Sequence, residues 1–221
     1  MKINIAIDGP MGAGKSTVAD ALAEKLGILH LDTGAMYRAF AYACKLGGIK
    51  DDDNSGIKRT MDTSSITVGF KNGKQITYLN GIDVNPYIRT SEISMKASNL
   101  SKLGFVREKL VAEQRKIAKN NDVIIDGRDI GTNVLTDAEI KIYLTAKPEI
   151  RAMRRYKEQS EKSYEQILAD LKERDIQDST RKINPLKKAD DAILVDTSDM
   201  SFDETIETIY RIVKEHYAKR R

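Results

Sequence analysis

The chain has only one cysteine, Cys44, in 221 residues. A single cysteine cannot close an internal disulfide, and no Cys/His cluster has the spacing of zinc ligands. Cys44 falls in a helical pattern and reads as a small apolar residue. Long apolar runs are also missing, and none approaches the roughly 20 residues of a membrane span. The stretch from Met1 to Asp8 lacks the basic opening, long apolar segment and small-residue cleavage site of a signal peptide. A reducing cytoplasm is therefore the expected compartment. Nor is there a large charge excess: 37 Lys and Arg face 33 Asp and Glu, a formal +4. Overall charge thus gives no argument for nucleic acid as a partner. No internal repeat or low-complexity segment is visible. With 40% hydrophobic and 32% charged residues, the chain suits one folded α/β domain with a modest insert.

The apolar pattern supplies the elements. Ile3 to Ile7 has strand length, Gly9 to Ser16 is glycine-rich, and Thr17 to Leu26 has helical spacing stopped by Gly27. Ile28 to Leu31 reads as a second strand, giving a βαβ unit whose strands run parallel. Ala35 to Leu46 is a further helix, ended by Gly47 and Gly48. Between 66 and 84 the period changes to alternation, with Asn72-Gly73 and Asn80-Gly81 as tight turns. Three short antiparallel strands are expected there. Helical patterning resumes from about Thr90 to Lys119. Strands follow at Val123–Ile125, Ile140–Leu144 and Ile193–Val195, with helices at Lys147–Lys157, Tyr164–Asp175 and Phe202–Tyr217. Strands alternating with helices predict a doubly wound parallel sheet. The closing Lys219-Arg220-Arg221 reads as a solvated helix end.

Gly9-Pro10-Met11-Gly12-Ala13-Gly14-Lys15-Ser16, followed by Thr17, satisfies G-x-x-x-x-G-K-[ST]. Glycines let the backbone wrap phosphate oxygens without Cβ clashes, and the next helix aims unpaired N–H groups at the anion. In this motif Lys15 reaches the terminal phosphates and the Ser16 hydroxyl ligates Mg²⁺. The expected fold is therefore α/β, a P-loop NTPase-type parallel five-stranded sheet with flanking helices, a small antiparallel β insert and a helical lid. The loop alone implies a nucleoside triphosphate, without separating kinase, GTPase, motor or nucleotide-sensing module.

Four further clusters narrow the choice. Asp32-Thr33-Gly34-Ala35-Met36-Tyr37-Arg38 follows the second strand, where sheet-edge ligands bind. Its alternative reading is a helix cap beside a solvated arginine. Asp126-Gly127-Arg128-Asp129 ends the third core strand, with Asp126 placed to hold Mg²⁺ through water and Arg128 and Asp129 offering a donor and an acceptor. Arg151, Arg154 and Arg155 share one basic helix, and Glu173-Arg174-Asp175 leads through Asp178 to Arg181. Arginines closing over a phosphoryl group neutralise its charge and exclude water, although each could equally lie on a solvated face. The guanine-reading N-K-x-D segment of a GTPase is absent, and a motor ATPase is usually larger. Two arginine-bearing loops beside one phosphate loop imply a second phosphorylated substrate, hence a transferase.

In this order, I-D-G-P-x-G-A-G-K-S, L-D-T-G-A-M-Y-R, D-G-R-D-I-G-T and E-R-D-x-x-D-x-x-R resemble the bacterial cytidylate kinase family over nearly the whole chain. The β-meander is similar to that family's insert. The resemblance implies transfer of the ATP γ-phosphoryl group to CMP or dCMP. It implies one domain over residues 1–221: a core of 1–60, 90–150 and 182–221, an insert at about 62–88 and a lid at about 151–181. By motif, Ser98, Arg107 and Asp129 would read cytosine, while Arg38, Arg128 and Arg181 would hold the monophosphate. Thr33 and Asp178 would sit near its phosphate and sugar, Thr33 standing where many members carry Ser. Arg151, Arg154, Arg155 and Arg174 would stabilise the transferring group. The acceptor is an already ionised phosphate oxygen, so no general base is required, and His30 and His216 read as structural or solvated. Two other readings stay open: a kinase of the same architecture for UMP or AMP, and a P-loop regulatory module without transferase activity. A monomer without nucleic-acid or membrane partners is expected.

Overall fold

The apolar runs and the helices between them form a layered α/β arrangement in the computed structural model, which describes residues 3–158 and 162–218. The helix end expected at 219–221 lies outside these residues. In chain order the strands are β1 (Asn4–Asp8), β2 (Leu29–Asp32), β3 (Ile66–Lys71), β4 (Lys74–Leu79), β5 (Ile82–Asp83), β6 (Val123–Gly127), β7 (Ile140–Thr145) and β8 (Ile193–Asp196). The helices are α1 (Lys15–Leu26), α2 (Thr33–Leu46), α3 (Asn54–Thr63), α4 (Ser91–Leu100), α5 (Gly104–Asn120), α6 (Pro148–Glu158), α7 (Tyr164–Thr180) and α8 (Phe202–Ala218), and a π-helical turn spans Ile130–Val134.

The expected parallel five-stranded sheet is present, in the order β2–β6–β1–β7–β8. Ile5 of β1 pairs with Ile124 of β6 and Ile140 of β7, and Asp8 pairs with Gly127. This register brings the carboxyl ends of β1 and β6 together, which is where ligands bind in parallel sheets. Central strands are covered on both faces, so β1 and β6 read as unbroken apolar runs rather than alternation. Ile5, Ile7, Leu22, Ile124, Leu144 and Ile209 are fully buried in one cluster, each worth about 1.5–3 kcal/mol of transfer free energy.

The chain divides into two compact units, Met1–Ile28 with Asp122–Arg221 and Leu29–Asn121. Residues 29–60 and 90–121 thus group with the meander in the second unit. Within the second unit α2 packs on α4 and on β4, which ties the insert to the helices around it. The meander has the expected register, with Lys71 opposite Lys74 and Leu79 opposite Ile82. Asn72 and Gly73 both have positive φ, 53° and 75°, the requirement of a two-residue hairpin turn matched to strand twist.

Two features differ from the expectations. The single helical stretch from Thr90 to Lys119 is two helices, with Gly104 opening the second. Ser101 to Leu103 close α4 with tight backbone bonds, including Leu103 N–H to the Leu100 carbonyl. Helix α3 gave no clear pattern because only Gly56, Ile57 and Met61 are buried along it. Its start is instead fixed by the Asp53 side chain, which accepts from Gly56 N–H at 2.8 Å.

Candidate active site

The phosphate loop leaves β1 through Gly9, whose φ is 155°. A Cβ there would lie 1.9 Å from the Leu144 carbonyl oxygen of β7, so only glycine fits. Lys15 opens α1 with its ammonium buried, and Nζ donates to the Pro10 carbonyl at 2.8 Å. Burial, then the charge of Arg128, push its pKa down to about 7 against the pull of Asp126, Asp178 and Asp8. A lysine held this way inside the loop is a strong phosphate ligand: an incoming anion restores the charge that burial disfavours. Met11, Gly12, Ala13 and Gly14 complete the turn, and Ser16 and Thr17 follow on α1.

Ser16 Oγ donates to Asp126 Oδ2 at 2.9 Å, which joins the two residues expected at a metal. Asp126 is buried at the end of β6. A hydroxyl and a carboxylate side by side are hard oxygen donors and fit Mg²⁺, which keeps much of its water and takes few protein ligands.

Beyond Asp126, strand β6 delivers Arg128 and Asp129 into one charged network. Arg128 Nε donates to Asp178 Oδ2 at 2.8 Å, and Arg174 Nε lies 3.6 Å from the other oxygen. Burial opposes ionisation of Asp178, but the two guanidinium groups outweigh it and hold its pKa below the usual range. Arg181 donates to Asp129 Oδ1 at 3.1 Å, and Asn133 Nδ2 to Asp129 Oδ2 at 2.9 Å. Arg128, Asp129, Asp178 and Arg181 are therefore brought together in one charged network.

Asp8 was not singled out in the sequence. It is buried and accepts from the N–H groups of Ile130 and Gly131, both at 2.7 Å, clamping the turn after Asp129. Burial raises its pKa to about 6, against these two bonds. Its signal was available, since Asp8 ends an apolar strand just as Asp126 does.

The basic helix α6 separates into distinct roles. Arg151 is 3% exposed; its Nε donates to the Ala146 carbonyl, one terminal nitrogen to the Met11 carbonyl, and both terminal nitrogens to Asp175 at 3.1 and 2.6 Å. Arg154 is turned onto Thr197, through Oγ1 at 3.0 Å and the carbonyl at 2.6 Å. Both were expected on the transferring group. In the structure their donors bond protein groups, with Arg151 holding the phosphate loop against α7. Arg155 is half-buried and makes no hydrogen bond or ion pair among the described residues.

In the second unit, Asp32 caps α2 by accepting from Ala35 N–H at 3.0 Å and receives Arg38 at 2.8 Å. Burial works against ionised Asp32, yet Arg38 and then His30 hold its pKa below the usual carboxylate range. Asp32 thus acts as the helix cap, with Arg38 paired to the same carboxylate. Arg38 Nε is buried without a hydrogen bond, a donor available to an anion. Thr33 is buried in the first turn of α2. Arg107 is buried, donates to the Ser101 carbonyl at 3.3 Å and stacks over the Tyr37 ring. Ser101 in turn donates to the Ser98 carbonyl at 2.8 Å, so Ser98 and Arg107 share one corner of α4 and α5. His30 is buried. Cys44 is fully buried, and burial pushes its thiol up to about 11, as suits an inert core residue.

The sequence matches the family described as cytidylate kinase over residues 5–215. It is 47% identical to the cytidylate kinase of Caldicellulosiruptor saccharolyticus over 96% of this chain and 95% of that one. Against the cytidylate kinase of Shouchella clausii identity is 47%, covering 96% of each chain. Against that of Thermosipho melanesiensis it is 48%, covering 97% of this chain and 98% of the other. Matches of this length, on a fold that assembles the same motifs, make the chain a member of the cytidylate kinase family.

Proposed function

We propose that this protein transfers the γ-phosphoryl group of ATP to CMP or dCMP, giving the diphosphate and ADP. The observation that carries this reading is the end of β6, where Asp126 bonds the phosphate-loop hydroxyl of Ser16 while Arg128 and Asp129 enter the arginine–carboxylate network. The family membership supports the same reading.

In this reading Gly9 to Thr17 cradle the donor phosphates, and Lys15 keeps its charge on the γ-phosphate as the phosphoryl group moves. Ser16, and Asp126 through water, would hold Mg²⁺, which supplies charge neutralisation on the donor phosphates. Arg38, Arg128 and Arg181 bind the acceptor phosphate, with Thr33 beside it and Asp178 near the sugar. Ser98, Arg107 and Asp129 read cytosine: the exocyclic amine donates to a carboxylate, and N3 and O2 accept from arginine and hydroxyl. UMP carries a carbonyl in place of that amine, which would set two acceptors against each other, a costly mismatch. Arg155 and Arg174 face the transferring group, while Arg151 acts as the brace of the loop. Helices α6 and α7 form the lid, and the second unit is the monophosphate-binding part. Catalysis is positioning and charge neutralisation, with no base needed on an ionised acceptor. The cytoplasm, where both nucleotides are found, suits a chain whose one cysteine is a buried free thiol.

The test is ADP release with ATP and Mg²⁺ across CMP, dCMP, UMP, AMP and GMP. Preference for CMP and dCMP is expected. A different preferred acceptor would discard the cytosine assignments and keep the phosphoryl chemistry. Release independent of any acceptor would discard both.

A further inference from the structure

The meander contains a side chain that serves the acceptor-binding part without belonging to any of its motifs. Gln75, on β4, accepts from the Asp32 N–H at 2.8 Å and donates to the Asp32 carbonyl at 3.2 Å. A neighbouring strand would make the same pair of bonds to one residue. Strand β2 ends at Asp32 and lies at the sheet edge, so among the described residues no strand of this sheet pairs with these two backbone groups on that side. The amide stands in for a missing ladder rung, because backbone groups away from bulk water must find partners.

Gln75 is itself fixed. Its Nε2 also donates to Thr77 Oγ1 at 3.0 Å, and Thr77 is fully buried. The Gln75 carbonyl accepts from Asn85 Nδ2 at 3.0 Å, and Asn85 Oδ1 accepts from Thr77 N–H at 3.1 Å. Asn85 thus closes the far edge of β4 and holds the strand in register. The chain of contacts runs from this rigid corner through Gln75 to the Asp32 backbone. From there the Asp32 carboxylate reaches the first turn of α2 and the Arg38 guanidinium.

We propose that Gln75 is a positioning residue for acceptor binding: it sets the Asp32 backbone and, through the Asp32 carboxylate, the orientation of Arg38. The inference rests on the reading of Arg38 as a ligand of the acceptor phosphate. It gives the insert a function, as a rigid support whose polar side chain aims an arginine. Gln75 never touches substrate in this scheme, and its effect passes entirely through Asp32.

Three variants test it: Gln75→Ala, Gln75→Glu and Arg38→Ala, with the double variant of Gln75 and Arg38 to alanine. Gln75→Ala should raise KM for CMP about tenfold, the scale of one or two lost hydrogen bonds, with KM for ATP within about twofold. Gln75→Glu keeps the acceptor for the Asp32 N–H but loses the donor and adds a charge beside Asp32, so it should also weaken CMP. It remains informative if the alanine variant does not fold. Adding Gln75→Ala to Arg38→Ala should cost little more, because both act through one group. Amide exchange at Asp32 should quicken in Gln75→Ala while β3 and β4 stay protected. Independent, multiplying effects of the two substitutions, equal losses for ATP and CMP, or unchanged exchange at Asp32 would overturn the proposal. If Arg38→Ala alone leaves KM for CMP unchanged, the reading of Arg38 fails and this inference falls with it. That outcome is distinct from failure of Gln75 alone.

Discussion

Arg151 and Asp175 face each other through two hydrogen bonds, at 3.1 and 2.6 Å, joining α6 to α7 across 24 residues of sequence. The same guanidinium holds the Met11 carbonyl at 2.8 Å, so one side chain locks the phosphate loop to both helices. Planar bidentate geometry of this kind is specific to arginine.

Arg151→Ala should therefore destabilise the fold before it touches chemistry. It strips Asp175 of its partner and frees the Met11 and Ala146 carbonyls. The expected loss is about 3–5 kcal/mol, the scale for breaking a buried pair from one side. Arg151→Lys should recover part of it, since an ammonium cannot make the bidentate contact. Urea unfolding of the variants decides. An unchanged midpoint with normal slope would return Arg151 to the phosphoryl group.

Lys15→Ala should lower turnover by about a thousandfold or more, because it removes the charge aimed at the moving group. Stability should change little by comparison, since burying that ammonium is unfavourable without an anion. Single-turnover rates with saturating ATP and CMP measure the effect. A near-normal rate would remove Lys15 from the mechanism.

How much of this was legible beforehand depended on where the physics is local. The phosphate loop, the Asn-Gly hairpins and the carboxylate at the end of β6 carry their reasons within a few residues. Gln75 does not: its importance comes from the Asp32 backbone, 43 residues away, and alternation along β4 marks it only as a polar position. Arg151 and Arg155 look alike in sequence as basic residues one turn apart. Tertiary partners separate them, one with its guanidinium donors engaged by the protein and the other without a partner among the described residues. Buried charge networks of this kind are built from long-range pairs such as Arg181 with Asp129, 52 residues apart.

Asp129→Ala should raise KM for CMP by about 100-fold and leave KM for ATP within about threefold, because a site built around a hydrogen-bonding group discriminates strongly through it. The same change releases Arg181 and Asn133 from the carboxylate. Selectivity for CMP over UMP should fall as well, since UMP lacks the amine that Asp129 is assigned to accept from. Equal effects on both nucleotides would undo the assignment.

Gly34 tests the Asp32–Arg38 pair without removing either residue. A Cβ at this position would lie 2.9 Å from an Arg38 terminal nitrogen and 3.0 Å from Asp32 Oδ1. Gly34→Ala should push the guanidinium aside. Helix propensity favours alanine here by up to about 1 kcal/mol, so the variant should stay folded while KM for CMP rises several-fold. Unaltered CMP kinetics in a folded Gly34→Ala protein would show that the pair has room to adjust, and that Arg38's present orientation is not required.

Asp8 gives a pH signature. Its carboxyl holds its proton up to about pH 6 in the folded chain, against 3.8 in the ordinary state. Between those values the folded chain binds more protons than the unfolded one, so stability falls as pH rises. The contribution is fully present below about pH 3.8 and lost as pH passes 6. The swing is about 3 kcal/mol from the size of the shift. Asp8→Asn cannot titrate and should lack it. Urea unfolding of both proteins from pH 4 to 8 should show the wild-type advantage over Asp8→Asn shrinking up to about pH 6 and levelling above 7. An advantage that grows over that range would mean that the two N–H donors from Ile130 and Gly131 outweigh burial, and that the ionised carboxylate is the form the fold prefers.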